Sequence, residues 1–277
     1  KACPTGRLNR RLMQSAQQQS VREAFTRQSP TFDALDEAPL IQWVRERVRE
    51  ATVRHLRPGS ELLEINCGTG IDSIWFAEQG FRVTATDDSP GMLEALERKS
   101  RSRPSIRLSA SRRSFLELER LAPGMFDAVF SNFGGINCTD RLADVLHGID
   151  RRLVPGGVCA LVIMPRCSPW EIIESLRGNF AFAFRRYRKN GAVARIEGVE
   201  FRCSYHDAGE VLRELPRYTV VDRMALSFFM PPPHLGPFAQ RHPLLTRAAG
   251  RLERALCRWP FIRSRGDHYL LILRKPR

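Results

Sequence analysis

Long apolar runs are missing from this chain. Stretches such as Val158 to Met164 and Leu226 to Met230 fall far short of the roughly 18 to 20 residues that span a bilayer, so no transmembrane helix is expected. Paired cysteines are missing too. The seven cysteines (Cys3, Cys67, Cys138, Cys159, Cys167, Cys203 and Cys257) are odd in number, show no CxxC spacing and have no histidine at ligand distance from a pair. That speaks against a disulfide scaffold or a zinc module, and the expectation is a reduced, metal-free, cytoplasmic protein. The first fifteen residues hold Lys1, Arg7, Arg10 and Arg11 with no apolar stretch behind them, so no secretory leader is expected. Lysine is scarce: only four of the 44 basic side chains are lysine, a skew explained more readily by genome composition than by selection for phosphate contact.

What is present suffices for a full core. With 277 residues, 43% of them hydrophobic, the expectation at roughly 150 residues per domain is one large domain or two modest ones. The formal charge of +14 is uneven: +5 over residues 1–60, −2 over 61–165 and +11 over 166–277. Such a basic tail can meet nucleic acid, an anionic membrane surface or an acidic substrate, or can be a solvated surface with no partner.

Periodicity divides the chain. Leu12 to Arg27 reads as a helix, and Ala38 to Leu56 as a second, with Ile41, Val44, Val48, Ala51 and Leu56 near helical spacing. After Pro58-Gly59 the pattern becomes strand, turn, helix: Glu61 to Asn66, then Cys67 to Gly70, then Ile71 to Gln79. The cycle repeats with Phe81 to Thr86 and Ser89 to Lys99, and further strands are predicted at Ser105 to Ser109, Phe126 to Ser131 and Val158 to Met164. Strands alternating with helices predict a parallel sheet covered on both faces. Ser168 to Lys189 reads as a helix, Ala192 to Ile196 and Val199 to Tyr205 as a hairpin, and Tyr218 to Phe229 and His268 to Arg274 as strands around a helix from Pro243 to Arg258. The fold expected is α/β with seven strands in the sheet. Its parts are a helical cap (1–57), a core of alternating strands and helices (58–165), an insertion over the sheet (166–217) and a C-terminal segment completing the sheet (218–277).

The chemistry concentrates at Glu64-Ile65-Asn66-Cys67-Gly68-Thr69-Gly70, where a strand turns into a helix and the glycines let backbone approach a ligand. Asp87, seventeen residues past Gly70 at the end of the next strand, is placed to accept both hydroxyls of a ribose. Position 73 is Ser rather than the third glycine of a dinucleotide fingerprint, and no Gly-Lys-Ser/Thr follows. A pyrophosphate loop and a Walker loop are both disfavoured.

On these residues the sequence resembles the class I S-adenosylmethionine-dependent methyltransferases, in particular small-molecule enzymes with a Glu-x-x-Cys-Gly-Thr-Gly loop. Four blocks match in order: Leu62 to Gly70, Val83 to Met92, Phe126 to Gly135 and Leu153 to Met164. The resemblance implies a Rossmann-like fold and S-adenosylmethionine as cofactor. It implies that Asn66, Cys67, Gly68 and Gly70 surround the methionine half, that Glu64 braces the loop, that Asp87 holds the ribose and that Asp88 and Met92 flank the adenine. Ser131, Asn132 and Phe133 would line the methyl-transfer gap. Relatives carry an acidic residue after the third strand; here the stretch is Ser111-Arg112-Arg113-Ser114-Phe115, so Ser114 or backbone near Phe115 takes that place. Phe32-Asp33 resembles the aromatic-acid pair that covers the cofactor.

The acceptor is expected to be a small, partly hydrophobic molecule methylated on oxygen or nitrogen, with Phe184, Tyr205 and Phe229 as candidate contacts and His234, after Pro231-Pro232-Pro233, as a base or acceptor contact. His55, His147 and His242 read as surface or packing residues. Arg247, Arg251, Arg254 and Arg258 lie opposite Leu245, Ala248, Leu252, Ala255 and Trp259 on one helix. This is either a helix packed on the sheet with a wet arginine face or a contact with an anionic membrane surface. No specific nucleic-acid partner is expected. The alternatives are an RNA or protein methyltransferase using the basic tail and a non-catalytic cofactor-binding scaffold. Against the first, Ser131-Asn132-Phe133-Gly134 stands where amino-group enzymes carry an Asn-Pro-Pro-Tyr type motif.

Overall fold

A computed structural model describes residues 4–176, 178, 180–188 and 190–277, with side chains from residue 13 onward except at 174. Lys1, Cys3 and Lys189 lie outside the described residues. The chain opens with two helices, α1 (Pro4–Asp36) and α2 (Pro39–Val53), and then alternates strand and helix: β1 (Glu61–Ile65), α3 (Ile71–Glu78), β2 (Arg82–Asp87), α4 (Pro90–Arg101), β3 (Leu108–Arg112), β4 (Phe126–Ser131), α5 (Leu142–Arg152) and β5 (Leu153–Ile163). There follow α6 (Pro169–Ser175), α7 (Phe180–Ala183), the hairpin β6 (Ala192–Ile196) and β7 (Val199–Cys203), α8 (Ala208–Glu214), β8 (Thr219–Leu226), α9 (Gly236–Arg241), α10 (Pro243–Leu256) and β9 (His268–Arg274).

Seven strands form one sheet in the order β3-β2-β1-β4-β5-β9-β8, and β6-β7 stand apart. β1 to β5 run parallel, whereas β9 is antiparallel to both β5 and β8. This is the seven-stranded Rossmann-like α/β arrangement with a reversed strand near one edge. The strand order reverses direction between β1 and β4, and a ligand crevice opens beyond the carboxyl ends of the strands at such a point.

The central strands are apolar on both sides because both faces are covered. Leu62 of β1 packs with Val44 and Val48 of α2 and Phe76 of α3 on one face, while its neighbour Leu63 packs with Val145, Leu146 and Ile149 of α5 on the other. Each such leucine contributes roughly 1.5–3 kcal/mol by leaving water. α8 adds Ala208, Val211 and Leu215 to the second face. The helix α1 lies instead across α4 and the β6-β7 hairpin, with Val21, Ala24 and Phe25 against Phe201 and Cys203.

Three sequence expectations need correction. β3 occupies Leu108–Arg112 rather than Ser105 to Ser109. The turn Ser100 to Ile106 consumes the earlier residues, and pairing of Val83 with Leu108 sets the register. The helix expected from Ser168 to Lys189 is broken into α6, α7 and a single 3-10 turn at Arg185–Tyr187. Gly178 takes φ +81 there, and the segment doubles back because Arg185 and Arg186 both donate to the buried Glu171 carboxylate. Finally α5 and α8 are helices where none was expected, although Leu142, Val145, Leu146 and Ile149 carry the three- and four-residue spacing that predicts α5.

Candidate functional site

The site begins at the β1-α3 turn. Gly70 sits at φ +76, a left-handed conformation that glycine adopts without penalty, and a Cβ there would lie 2.1 Å from Leu96 Cδ1 of α4. Helix α3 can therefore start immediately above the strand. Asn66, two residues before Gly68, is also left-handed at φ 50, an unusual state for a residue with a side chain. Its Oδ1 accepts the Ser131 hydroxyl at 2.8 Å, and its Nδ2 donates to the Asn132 carbonyl at 3.4 Å. Phe133, in the loop after β4, is left-handed as well at φ 49. Strained residues of this kind persist only where their surroundings over-determine them.

Those surroundings are a buried charge network rooted in α2. Asp72 of α3 accepts from Arg45, from Arg49 Nε at 2.7 Å and from Asn132 Nδ2 at 2.9 Å. Arg45 also donates to Asp36, and its guanidinium lies 4.7 Å from the centre of the Phe133 ring. Asn132 Oδ1 in turn accepts the Phe133 N–H at 2.8 Å. Beneath the turn, Glu64 is buried and accepts the Ser73 hydroxyl; burial and the nearby Asp72 push its carboxyl well up.

Above this platform a cavity of about 910 Å³, counting its open mouth, is bounded on one side by Asn66, Gly68, Asp87, Asp88 and Met92 and on the other by Val21, Phe25 and Phe32 of α1. Ser114, Phe115, Asn132, Phe133 and Cys138 complete much of the wall. Asp87 Oδ2 accepts the Gly68 N–H at 2.9 Å and Oδ1 the Ser89 N–H at 2.8 Å. Burial raises the Asp87 carboxyl above its ordinary value, with the two backbone donors opposing the shift. Asp88 is paired with Arg22 of α1 at 2.8 Å. Cys138 shares a thiol contact with Cys203 of β7; that contact and burial push the Cys138 thiol well up, so it is protonated and unreactive at neutral pH.

The predicted site residues separate into three groups. Asn66, Gly68, Asp87, Asp88, Met92, Ser114, Phe115, Asn132 and Phe133 line this one cavity. Glu64, Cys67, Gly70 and Ser131 are outside its lining and shape the turn from below, Cys67 packing with Ile74 and Leu96. The four acceptor candidates lie elsewhere. His234 is exposed on a 3-10 turn (Pro233–Leu235), and Phe184 is half exposed beside Tyr187. Phe229 donates its N–H to Glu253 at 2.7 Å, and Tyr205 lies under the Arg186 guanidinium in a separate polar cleft. Of the aromatic-acid pair, Phe32 lines the cavity, whereas Asp33 accepts from Thr69 and from Lys99 at 2.7 Å and so fastens α1 to the core.

Sequence reasoning missed the α1 contribution of Gln18, Val21, Arg22 and Phe25. Besides Phe32, the apolar triplet Val21, Ala24 and Phe25 amid polar neighbours was the available hint that this face meets something.

The residues fit an adenosine-bearing cofactor. A half-buried carboxylate with one oxygen on each of two backbone donors faces the cavity as a hydroxyl acceptor; Met92 and Phe115 offer apolar surface for a base, and Asn66 with the Gly68 backbone offers polar groups.

Comparison with known proteins agrees. Residues 62–157 match the family model for a methyltransferase domain. The malonyl-[acyl-carrier protein] O-methyltransferase of Serratia marcescens is 34% identical over 140 residues, 50% of this chain and 51% of that protein. A demethylmenaquinone methyltransferase of Beutenbergia cavernae is 33% identical over 139 residues, 49% of this chain and 54% of that protein. The chain thus spans about half the length of these curated relatives. Among solved structures, Burkholderia thailandensis 1,6-didemethyltoxoflavin-N1-methyltransferase, with 1,6-didemethyltoxoflavin and S-adenosylhomocysteine bound, superposes with a TM-score of 0.54 at 18% identity, covering 100% of this chain and 92% of that one. That likeness shows the shared fold.

Proposed function

We propose, from the premise that residues 62–157 are a class I S-adenosylmethionine-dependent methyltransferase domain, that this chain methylates an oxygen or nitrogen of a small, partly hydrophobic molecule. The observation that carries the reading is the single cavity in which the cofactor-type residues around Asp87 meet the apolar face of α1. When bound, S-adenosylmethionine supplies a methyl group on a sulfonium. Asp87 would accept the ribose hydroxyls, Asn66 and Gly68 would face the methionine half, and Asp88, Met92 and Phe115 would flank the adenine. Val21, Phe25 and Phe133 would exclude water and hold an apolar acceptor in line, which is most of what such a displacement requires.

The titratable groups on the lining are Arg22, Asp87, Asp88, Arg113 and Cys138. Asp87 and Asp88 are engaged, the arginines are cationic and Cys138 is held protonated. No group there is suited to remove an acceptor proton, and His234 has no part in this reading. The acceptor therefore brings its own nucleophile, as an ionised acid or a neutral amine does. The curated relatives named above, a malonyl-[acyl-carrier protein] O-methyltransferase and a demethylmenaquinone methyltransferase, support a reading in which the methylated group is an acid or a ring of a small organic moiety. A cytoplasmic setting without a specific nucleic-acid partner belongs to the same proposal.

The test is transfer of labelled methyl from S-adenosylmethionine into fractionated metabolites, followed by a pH-rate profile on the acceptor identified. The rate should follow the acceptor's own ionisation; a profile set by an enzyme group would sink the assignment of a base-free site. Phe25→Ala should raise the acceptor Michaelis constant about tenfold, the effect of roughly 1–2 kcal/mol of lost apolar contact, and should change cofactor affinity far less. The reverse pattern would move the acceptor away from α1.

A further inference from the structure

The outer surface of α10 is built the wrong way round for a helix that only packs on a sheet. Its inward side holds Gly250 and Glu253 with Ala249 and Leu256 packed beside them, and Glu253, fully buried, is anchored by accepting the backbone N–H groups of Phe228, Phe229 and Met230 at 3.1, 2.7 and 3.2 Å. A further apolar stripe faces water: Leu244 is 76% exposed, Leu245 61%, Leu252 49% and Trp259 54%. Phe261, beyond the helix, joins it through an edge-on contact with Trp259 at 5.8 Å. Of the two readings the sequence left open for this helix, a packed helix with a wet arginine face and a surface contact, the exposed stripe favours the second.

Beside the stripe runs a second row, Arg247, Arg251 and Arg254, all exposed. From Gly236 to Arg265 the chain has seven arginines, and its one acidic residue is Glu253, whose charge is turned inward. Arg258 is paired with Asp222 at 2.8 Å. Leucines and a tryptophan beside uncompensated arginines match the two layers of a lipid interface, where acyl chains take the former and anionic headgroups the latter. A nucleic acid would satisfy the arginines and leave Leu244 and Leu245 in water. Among the described residues no helix is long and apolar enough to cross a membrane, so the contact would be peripheral.

We propose that the outer face of α10 with the turn after it, from Leu244 to Phe261, docks this protein on the surface of an anionic lipid bilayer. The proposal does not depend on the methyltransferase reading. It is tested by co-sedimentation of the whole chain with vesicles of phosphatidylcholine alone and of phosphatidylcholine mixed with phosphatidylglycerol, at low and physiological salt. Binding is expected only to the mixed vesicles, weakening as salt rises. Arg251→Gln should reduce partitioning about fivefold, and Leu244→Ser with Leu245→Ser should reduce it at least as much, with unchanged thermal melting because these side chains are exposed.

No binding to mixed vesicles at low salt would overturn the proposal. So would equal binding to neutral ones, or binding indifferent to the leucine pair. A dimer in sedimentation equilibrium that dissociates in the leucine variant would assign the stripe to a second copy of the chain and overturn it as well.

Discussion

Asp87→Ala should weaken S-adenosylmethionine binding by about two to four orders of magnitude, the loss of two hydrogen bonds to a charged acceptor at roughly 1.5–3 kcal/mol each. The side chain is fixed before any ligand arrives, because each of its oxygens already holds one backbone donor, Gly68 N–H or Ser89 N–H. No rotamer freedom is left to lose on binding, so little of the interaction is spent on ordering. Asp87→Asn should fall between the two, since an amide keeps one acceptor oxygen. Asp88→Asn should cost much less, because Asp88 is occupied by Arg22. Calorimetric titration with S-adenosylmethionine measures all three. Affinity within a few-fold of the parent in Asp87→Ala would mean that this carboxylate does not hold the ribose, and the assignment of the cavity would fall with it.

Arg45→Met should be the most destabilising of the conservative-volume changes, by about 3–5 kcal/mol, since it leaves a buried carboxylate short of a partner. Asp72 would keep Arg49 and Asn132, and Asp36 would keep Gln42 at 2.8 Å, yet both lose the guanidinium that joins them. The comparison is Arg103→Met: its pair with Glu78 at 3.0 Å is substantially exposed on both sides, and such pairs contribute less than about 1 kcal/mol. Urea denaturation of the two variants gives the contrast directly. Equal midpoints would show that the α2 network is not a source of stability. Because Arg45 also covers Phe133, the variant that still folds should have a looser loop after β4 and a lower turnover.

How much of this could be read from residue order differs from place to place, for physical reasons. The β1-α3 turn was legible because its positions admit few residue types: a left-handed turn against Leu96 calls for glycine, and a carboxylate at the end of the next strand, Asp87, is visible in residue order alone. The sheet was legible because strands covered on both faces must be apolar throughout. The Arg45-Asp72-Asn132 network was not. An arginine inside an amphipathic helix looks like any solvated charge, and only the packing of α2 against α3 shows that this one is buried. The acceptor candidates Phe184 and Phe229 stand outside that cavity for a related reason. They are large apolar residues, but an aromatic residue has many places to go, and nothing local aims it at a cavity walled by α1, about 160 to 200 residues earlier. For α10 two readings stayed open because both share one periodicity, and only the three backbone donors that hold Glu253 show which side turns inward.

The two sides of α1 are held by different forces. Toward the hairpin, α1 is joined by apolar packing of Val21, Ala24 and Phe25 on Phe201 and Cys203. Toward the core it is tied at Asp88 by Arg22 and through Asp33 to Thr69 and Lys99, contacts that water and ions can replace singly. The hairpin side is also closed by hydrogen bonds between Gln17 and the Arg202 backbone, so helix and hairpin are expected to move as one piece and the charged seam to part first. Release of a bound ligand, followed by stopped flow, should then quicken as ionic strength rises, while the melting of the sheet below stays unchanged.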